Sequence, residues 1–511
     1  MTRREFMVAG ARGMAVVSIP LIFKVDPLAA LTGPAAGSME LSDYYQHFGV
    51  DAEVIRQVMA AALAKGGDYC DVFFEHNVSS SIGLEDNLVN QAFTNVDFGV
   101  GIRVVEGEQV GYSFTEEITP KAMKLAAKTA ANIAHEGSNA PPAELKFHGT
   151  PSYYPIQTSW EDVGIDSKIP LLLKLNEKML AGDPRVIRSQ VWFQDFSSYV
   201  LIANSAGRVA CDFQPMTRMF AFCTAEENGR KEENYEGIGG RRGLEYYTPE
   251  RIDRIAGDAV RKTVDLFKAE PIPGGEMEVV LAPGKAGILL HEAIGHGMEA
   301  DSNRRGESIF ADKIGKKVAE NFVTIIDDGT IPNYRGSINI DDEGYDTEKT
   351  YLVRNGILET YMHDYISSVY YKVKPTGNGR RQSFRHVPIP RMTNTYMDNG
   401  PHTPEEIVAS VKQGLYAESF TNGEVNIGPG DFTFYLKSGY LIENGKLTKP
   451  VKDVNLIGNG PDVLTKIVMV GNDLKIEEGG GTCGKGGQWA PVTDGLPTAK
   501  VSAITVGGSS T

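Results

Sequence analysis

The sequence predicts an α+β fold in two domains. A mixed α/β domain over 42–272 is followed by a β-rich domain over 273–511, with a leader segment over 1–37. Three observations carry this reading. The chain has 511 residues, beyond the roughly 250–300 at which single hydrophobic cores stop growing. The run Pro271-Ile272-Pro273-Gly274-Gly275 is a strong breaker between patterned regions. Apolar periodicity changes across it, from helices mixed with strands before it to mostly strand-like segments after it.

Helical spacing at Val54, Ile55, Val58, Met59, Ala62 and Leu63 predicts a helix over 50–65, stopped by Gly66-Gly67. Alternating segments over 69–75, 79–84, 99–105 and 109–114 read as strands. Thr119-Pro120 and Thr248-Pro249 each open a helix, the Thr as cap and the Pro in the first turn. Between them, 169–180 reads as helix, and 186–193, 198–204 and 208–225 as strands. In the second half 277–281 is a short strand, and Pro283-Gly284 leads into a helix. Thr403-Pro404-Glu405-Glu406 caps another. Two segments, Leu352-Val-Arg-Asn-Gly-Ile-Leu358 and Leu441-Ile-Glu-Asn-Gly-Lys-Leu447, place Asn-Gly between apolar runs. That pair predicts type I′ hairpins, because both central residues need positive φ.

A composition of 41% hydrophobic and 23% charged residues is that of a soluble globular protein. A net charge of −15 argues against a nucleic-acid partner, which requires a basic face. One basic island, Arg380-Arg381-Gln382-Ser383-Phe384-Arg385-His386, runs against the trend. It reads either as a salt-bridged turn or as a clamp in which Arg380, Arg381 or Arg385 holds a substrate carboxylate or backbone. Cys70, Cys211, Cys223 and Cys483 are too few for a disulfide scaffold. Cys211 and Cys223 could pair across a hairpin or remain buried thiols.

The N-terminal Thr2-Arg3-Arg4-Glu5-Phe6-Met7, with the moderately apolar stretch behind it, resembles a twin-arginine export signal. It implies an exported, periplasmic protein; the alternative is a cytoplasmic protein with a basic start. Arg12 and Pro20 interrupt the apolar stretch, and no other segment reaches eighteen uninterrupted apolar residues. No membrane span is expected in the mature chain.

His291-Glu292-Ala293-Ile294-Gly295-His296 carries the chemistry. Two imidazoles can ligate a divalent ion, and Glu292 is free to take a proton from water. The spacing is unusual. Histidines at i and i+5 lie about 140° apart on an ideal helix, against about 40° for i and i+4. A π-bulge or a bend would realign them, and Gly295 and Gly297 would tolerate the distortion. A third ligand is required; Glu299, Asp301 and the distant Cys483 are candidates. Cys483 sits among six glycines in Gly479-Gly-Gly-Thr-Cys-Gly-Lys-Gly-Gly-Gln488. This argues against ordinary core packing, and Lys485 would favour the thiolate; the plainer alternative is a flexible loop.

At these residues the chain resembles the TldD/PmbA family of metalloproteases, and within it the TldD branch. The similarity runs through Gly99-Val-Gly-Ile-Arg-Val-Val105 and His291-Glu-Ala-Ile-Gly-His-Gly-Met-Glu-Ala-Asp301. It continues in Gly377-Asn-Gly-Arg-Arg-Gln-Ser383, Pro390-Arg-Met-Thr-Asn-Thr-Tyr396 and Cys483-Gly-Lys-Gly-Gly-Gln488. The resemblance implies a two-domain TldD/PmbA-like architecture whose C-terminal domain is antiparallel and barrel-like. It also implies one divalent metal, zinc by donor type, on His291, His296 and Cys483, with Glu292 as catalytic base. Small or unfolded peptides would be the substrates. A homodimer, or a heteromer with a PmbA/TldE-like paralogue, would be the assembly. The reading from another class is a non-catalytic, metal-containing binding or assembly subunit.

Overall fold

A computed structural model describes residues 39–134 and 141–507. The arginine pair and the rest of the 1–37 leader lie outside the described residues.

The N-terminal part is built on one seven-stranded sheet. Its main path runs Gln109–Thr115, Leu88–Glu106, Tyr69–Glu85, Val186–Asn204 and Arg208–Glu227, all antiparallel, and Arg230–Gly240 continues beyond Arg208–Glu227. Several strands are longer than the sequence predicts. The segments 69–75 and 79–84 are one strand, as are 186–193 and 198–204. Polar residues such as Asn77 and Ser198 break the apolar alternation, but both neighbours of Tyr69–Glu85 keep pairing through that stretch, so the backbone runs on.

Two hydrophobic clusters cover one face of this sheet. Helix Ala52–Ala62 buries Ile55, Val58, Met59 and Ala62 over Cys70, Val72, Phe74, Val100 and Ile102. Helices Ile165–Gly182 and Pro249–Asp265 bury Leu172, Leu175, Ile252 and Ile255 over Ile82, Val191, Phe193 and Met219. Strand alternation sends Asp71, Phe73 and Glu75 to the other face, where the C-terminal half docks. Phe73 packs with Ile340 and Phe384. Arg103 bridges Asp71 and Glu343 at 2.5 and 2.7 Å, all three fully buried. Removing one member of such a buried trio strands the others' charges, so it fixes how the parts meet.

All four cysteines are free and buried. Cys211 and Cys223 lie on the same strand, Arg208–Glu227, so no hairpin joins them.

At the edge of the first cluster the neutral rings of His47 and His76 meet, Nε2 to Nδ1, at 2.8 Å. Burial, then the neighbouring His76, lowers the His47 pKa from 6.5 to about 4; burial also lowers that of His76. The unfolded chain therefore takes these protons more readily, and stability is lost as pH falls from about 6.5 towards about 4. Denaturant titrations at pH 7 and pH 5 should show that acid loss, and it should be smaller in His47→Gln, which cannot titrate.

After the Pro-Gly break the described chain forms a two-stranded sheet, Gly379–Arg380 with Ile389–Pro390, and two further seven-stranded sheets. In one, Gly275–Leu281, Ala499–Gly507, Val454–Asn459, Asp431–Glu443 and Gln413–Asn426 pair in turn. Gln413–Asn426 then returns to Gly275–Leu281 and closes the circuit. The result is a small barrel. It is antiparallel except at Gln413–Asn426 with Gly275–Leu281, a parallel pairing the sequence does not predict. The other sheet runs from Ile357–Leu358 through Lys349–Arg354, Ile325–Asp328 and Asn394–Met397 to Gln488–Leu496. Both Asn-Gly hairpins are present, with φ of 50° and 77° at Asn355 and Gly356, and 52° and 76° at Asn444 and Gly445. Among the described residues no helix is long and apolar enough to cross a membrane.

Candidate metal centre

The helix that carries the two histidines is packed between the barrel and the second sheet. Leu289, Leu290, Ala293, Ile294 and Met298 share a core with Leu281, Leu415, Ala417 and Phe434 of the barrel and with Val492 and Leu496 of the sheet. It starts as an α-turn, Gly287–Leu290, widens to a π-turn over His291–Gly295 and tightens to a 3₁₀ turn over His296–Met298. The His296 N–H donates to the His291 carbonyl, a five-residue step. That step stacks the i and i+5 rings on one side of the helix, which an α-helix would not do. Gly295 serves this turn differently from its expected role. Its φ is an ordinary −57°. What excludes a side chain is crowding, since a Cβ there would lie 2.2 Å from the Met392 sulfur.

The third donor arrives on a hairpin. Strand Gly481–Lys485 pairs with Gln488–Leu496 across a two-residue Gly486-Gly487 turn, both at positive φ. The glycine-rich segment is thus an ordered ribbon, and Cys483 is 4% exposed within the core cluster. Its Sγ lies 3.1 Å from His291 Nε2 and 3.2 Å from His296 Nε2. All three donor atoms lie within 4.8 Å of one another.

Each imidazole is oriented by a carboxylate. His291 Nδ1–H donates to Asp494 at 2.8 Å, and His296 Nδ1–H donates to Glu299 at 2.9 Å. These bonds turn both Nε2 atoms towards the sulfur. Burial opposes a charged His291, yet Asp494 and Cys483 raise its pKa well above 6.5. Burial likewise opposes a charged His296, but Glu299 and Cys483 lift it to about 10. Burial pushes the Cys483 thiol up, and the two imidazoles outweigh it, holding the thiol well below its usual range. Lys485 has another task than the one expected of it. Its ammonium pairs with Glu299 at 3.0 Å and Asp301 at 2.6 Å. Burial alone would raise Glu299, but Lys485 and His296 bring it down to about 2. Glu299 and Asp301 therefore support the site from outside the donor trio.

Two nitrogens and a thiolate suit zinc, and a tetrahedral zinc shell keeps N and S donors roughly 3.5 Å apart. The separations of 3.1 and 3.2 Å are slightly tighter and of the right order. The residues fit a single divalent ion. Glu292 stands beside them, its Oε2 3.9 Å from His296 Nε2 and its side chain 20% exposed, against 5% for His296. Burial raises its pKa, partly offset by the two imidazoles.

Sequence reasoning misses Asp494 and Arg391. Arg391 is fully buried and donates to the carbonyls of Cys483 and Gln488, tying the hairpin down. The signal for Asp494 was the hairpin register. Cys483 faces Ala490, so Asp494, four residues further along that strand, emerges on the same side. The basic island makes its contacts within the fold. Arg381 pairs with Asp71 at 3.3 Å and donates to the Asp342 carbonyl at 2.8 Å, and Arg385 pairs with Asp97 and Glu116 at 2.8 Å each. Arg380 is buried and donates to the Met392 carbonyl. These guanidinium groups latch the C-terminal half to the first sheet and to itself, as the salt-bridged reading of the island expects.

Fold and donor cluster together define an α+β protein with a barrel-supported His–His–Cys centre. Models of the PmbA/TldA metallopeptidases match the chain in three parts: domain 1 over 70–134, the central domain over 158–267 and the C-terminal domain over 274–508. The chain is 40% identical over 450 residues to the metalloprotease TldD homolog of Haemophilus influenzae, covering 86% of this chain and 93% of that protein. It is 26% identical over 446 residues to the zinc metalloprotease TldD homolog of Saccharolobus solfataricus, covering 87% and 97%. The fold matches TldE from Thermococcus kodakarensis with a TM-score of 0.68 and 17% identity, over 89% of this chain and 100% of that one. It also matches a Thermotoga maritima protein described as a modulator of a DNA gyrase, with a TM-score of 0.72 and 22% identity over 89% and 99%. The chain belongs to the PmbA/TldD family of metallopeptidases, with that family's three-domain, barrel-containing fold.

Proposed function

We propose that the protein is a zinc-dependent peptidase that cleaves small or unfolded peptides at the His291–His296–Cys483 centre. One observation carries the reading: two Nε2 atoms and a thiolate converge with a partly open carboxylate, Glu292, beside them. When bound, the ion supplies Lewis acidity that polarises a carbonyl and acidifies water. His291, His296 and Cys483 hold it, and Asp494 and Glu299 fix the two rings. Glu292 accepts the water proton at its carboxylate and returns it to the leaving amine. A purely structural site has no need of such a carboxylate, which weighs against a non-catalytic subunit.

Names of relatives support zinc and proteolysis, and the TldE neighbour supports a paralogous partner. A homodimer is the other assembly, and the arginine pair supports twin-arginine export to the periplasm. The test is metal content plus digestion of an unfolded peptide by the purified chain, alone and mixed with its TldE-like paralogue. Zinc near one per chain with cleavage in either sample supports the reading; a metal-loaded chain inert in both overturns it.

Asp494→Asn is expected to weaken zinc binding roughly 10–100-fold, because the His291 ring loses its ionic anchor while its size is kept. Chelator competition measures this. Unchanged affinity would assign Asp494 no part in holding the ring.

A further inference from the structure

A cavity of about 190 Å³ adjoins the donor cluster, between the central-domain sheet and the barrel. Asp494, which orients His291, is in its wall, as are Gly479–Gly481, the run leading to Cys483. Ile288, on the helix four residues before Glu292, and Lys285, in the turn just before that helix, also line it. The cavity therefore borders the donor cluster through Asp494, Gly481 and Ile288.

Its charge is unbalanced. Arg218, Lys262, Lys285 and Lys437 face it, against the carboxylates Glu477 and Asp494. Glu236 takes both Lys262 and Lys285 at 2.5 Å each, and Asp494 is engaged by His291. Among the described residues, Arg218 and Lys437 have no carboxylate within 4.0 Å. Arg218 donates to the Gly480 carbonyl and the Thr482 hydroxyl, and its Nε is left without a partner. The Lys437 side chain, half-buried, makes no hydrogen bond or ion pair with the described residues. Behind the wall the buried Arg335 donates only to the Gly481 carbonyl and Thr482, adding another guanidinium with no acid beside it. Four cations line the recess against Glu477 and Asp494, with Glu236 taking two of the lysines and His291 engaging Asp494. Such a surplus of guanidinium and ammonium groups in a low-dielectric recess favours an incoming anion.

We propose that this cavity is a carboxylate-recognising subsite, in which Arg218 and Lys437 hold an acidic group of the bound peptide. The group is either a side-chain carboxylate near the scissile bond or the free C-terminal carboxylate. Phe220, Tyr235 and Phe420 supply apolar walls for the chain that carries it. The inference rests on the peptidase reading and adds a substrate preference to it.

The test uses four peptides of one sequence, with Glu or Gln at the variable position and a free or amidated C-terminus. Binding to zinc-loaded Glu292→Gln protein is measured by calorimetry, and hydrolysis by the unmutated enzyme is followed in parallel. The acidic peptide should bind roughly tenfold tighter than its neutral twin, the gain of a charge-assisted pair. Preference following the Glu/Gln exchange assigns the side chain; preference following amidation assigns the terminus. In Lys437→Gln and in Arg218→Gln that ratio should fall towards one through KM and Kd. Lys437 holds no other group, so its variant decides the matter should Arg218→Gln fail to fold. Equal binding of all four peptides, or a preference unchanged in both variants, overturns the subsite. Selective binding without cleavage would retire the peptidase reading and leave the subsite standing; cleavage without preference would do the reverse.

Discussion

Zinc-loaded Glu292→Gln protein is expected to keep its ion and lose roughly 10²–10⁴-fold in kcat, the usual contribution of a positioned general base. Metal content should not change, because Glu292 is outside the trio formed by His291, His296 and Cys483. The substitution preserves shape and removes the site for a proton. Glu292 borders His296 at 3.9 Å and among the described residues no hydrogen bond fixes it there, so Gln can take its place without disturbing the ring. KM should move little, since the loss falls on the proton transfer and not on binding. Turnover within threefold of the unmutated enzyme would remove Glu292 from the mechanism.

Cys483→Ala is expected to release the metal, by more than the 10–100-fold that a change outside the donor shell costs. The thiolate is the point on which both imidazoles converge, at 3.1 and 3.2 Å. Without it two neutral nitrogens remain, each still held by a buried carboxylate. Neither Glu299 nor Asp301 can step in, because Lys485 and His296 hold the first and Lys485 the second. The variant should also lose the thermal stabilisation that saturating zinc gives the unmutated protein. Full zinc occupancy in Cys483→Ala would show that the ion takes a different donor.

What could be read from the sequence was what lies close together in it. The His–Glu–His run shows its own chemistry, and its i+5 spacing calls for the π-turn found over His291–Gly295. Asn355-Gly356 and Asn444-Gly445 mark hairpins because their left-handed φ is demanded locally. Thr119, Thr248 and Thr403 cap the helices they precede. Partners supplied from afar were not legible. Arg381 and Arg385 look like free cations until Asp71, Asp97 and Glu116, some 270–310 residues earlier, are folded against them. The first part of Leu88–Glu106 is exposed, and its apolar residues Leu88, Val89, Phe93 and Val96 do not alternate with the polar ones, so periodicity gives no sign of it; its pairing with Tyr69–Glu85 makes it a strand. The return of Gln413–Asn426 to Gly275–Leu281, which closes the barrel, is likewise a long-range pairing without a local mark.

Cys483 lies 187 residues downstream of His296. One stave of the barrel, Ala499–Gly507, is made later still. A ribosome must therefore emit the chain at least through Cys483 before the sulfur can meet the two rings. Synthesis itself delays the appearance of the centre, and no nascent fragment can assemble it early. Clipping the chain ahead of Gly481 would remove the sulfur and that stave together, leaving two imidazoles without their third donor.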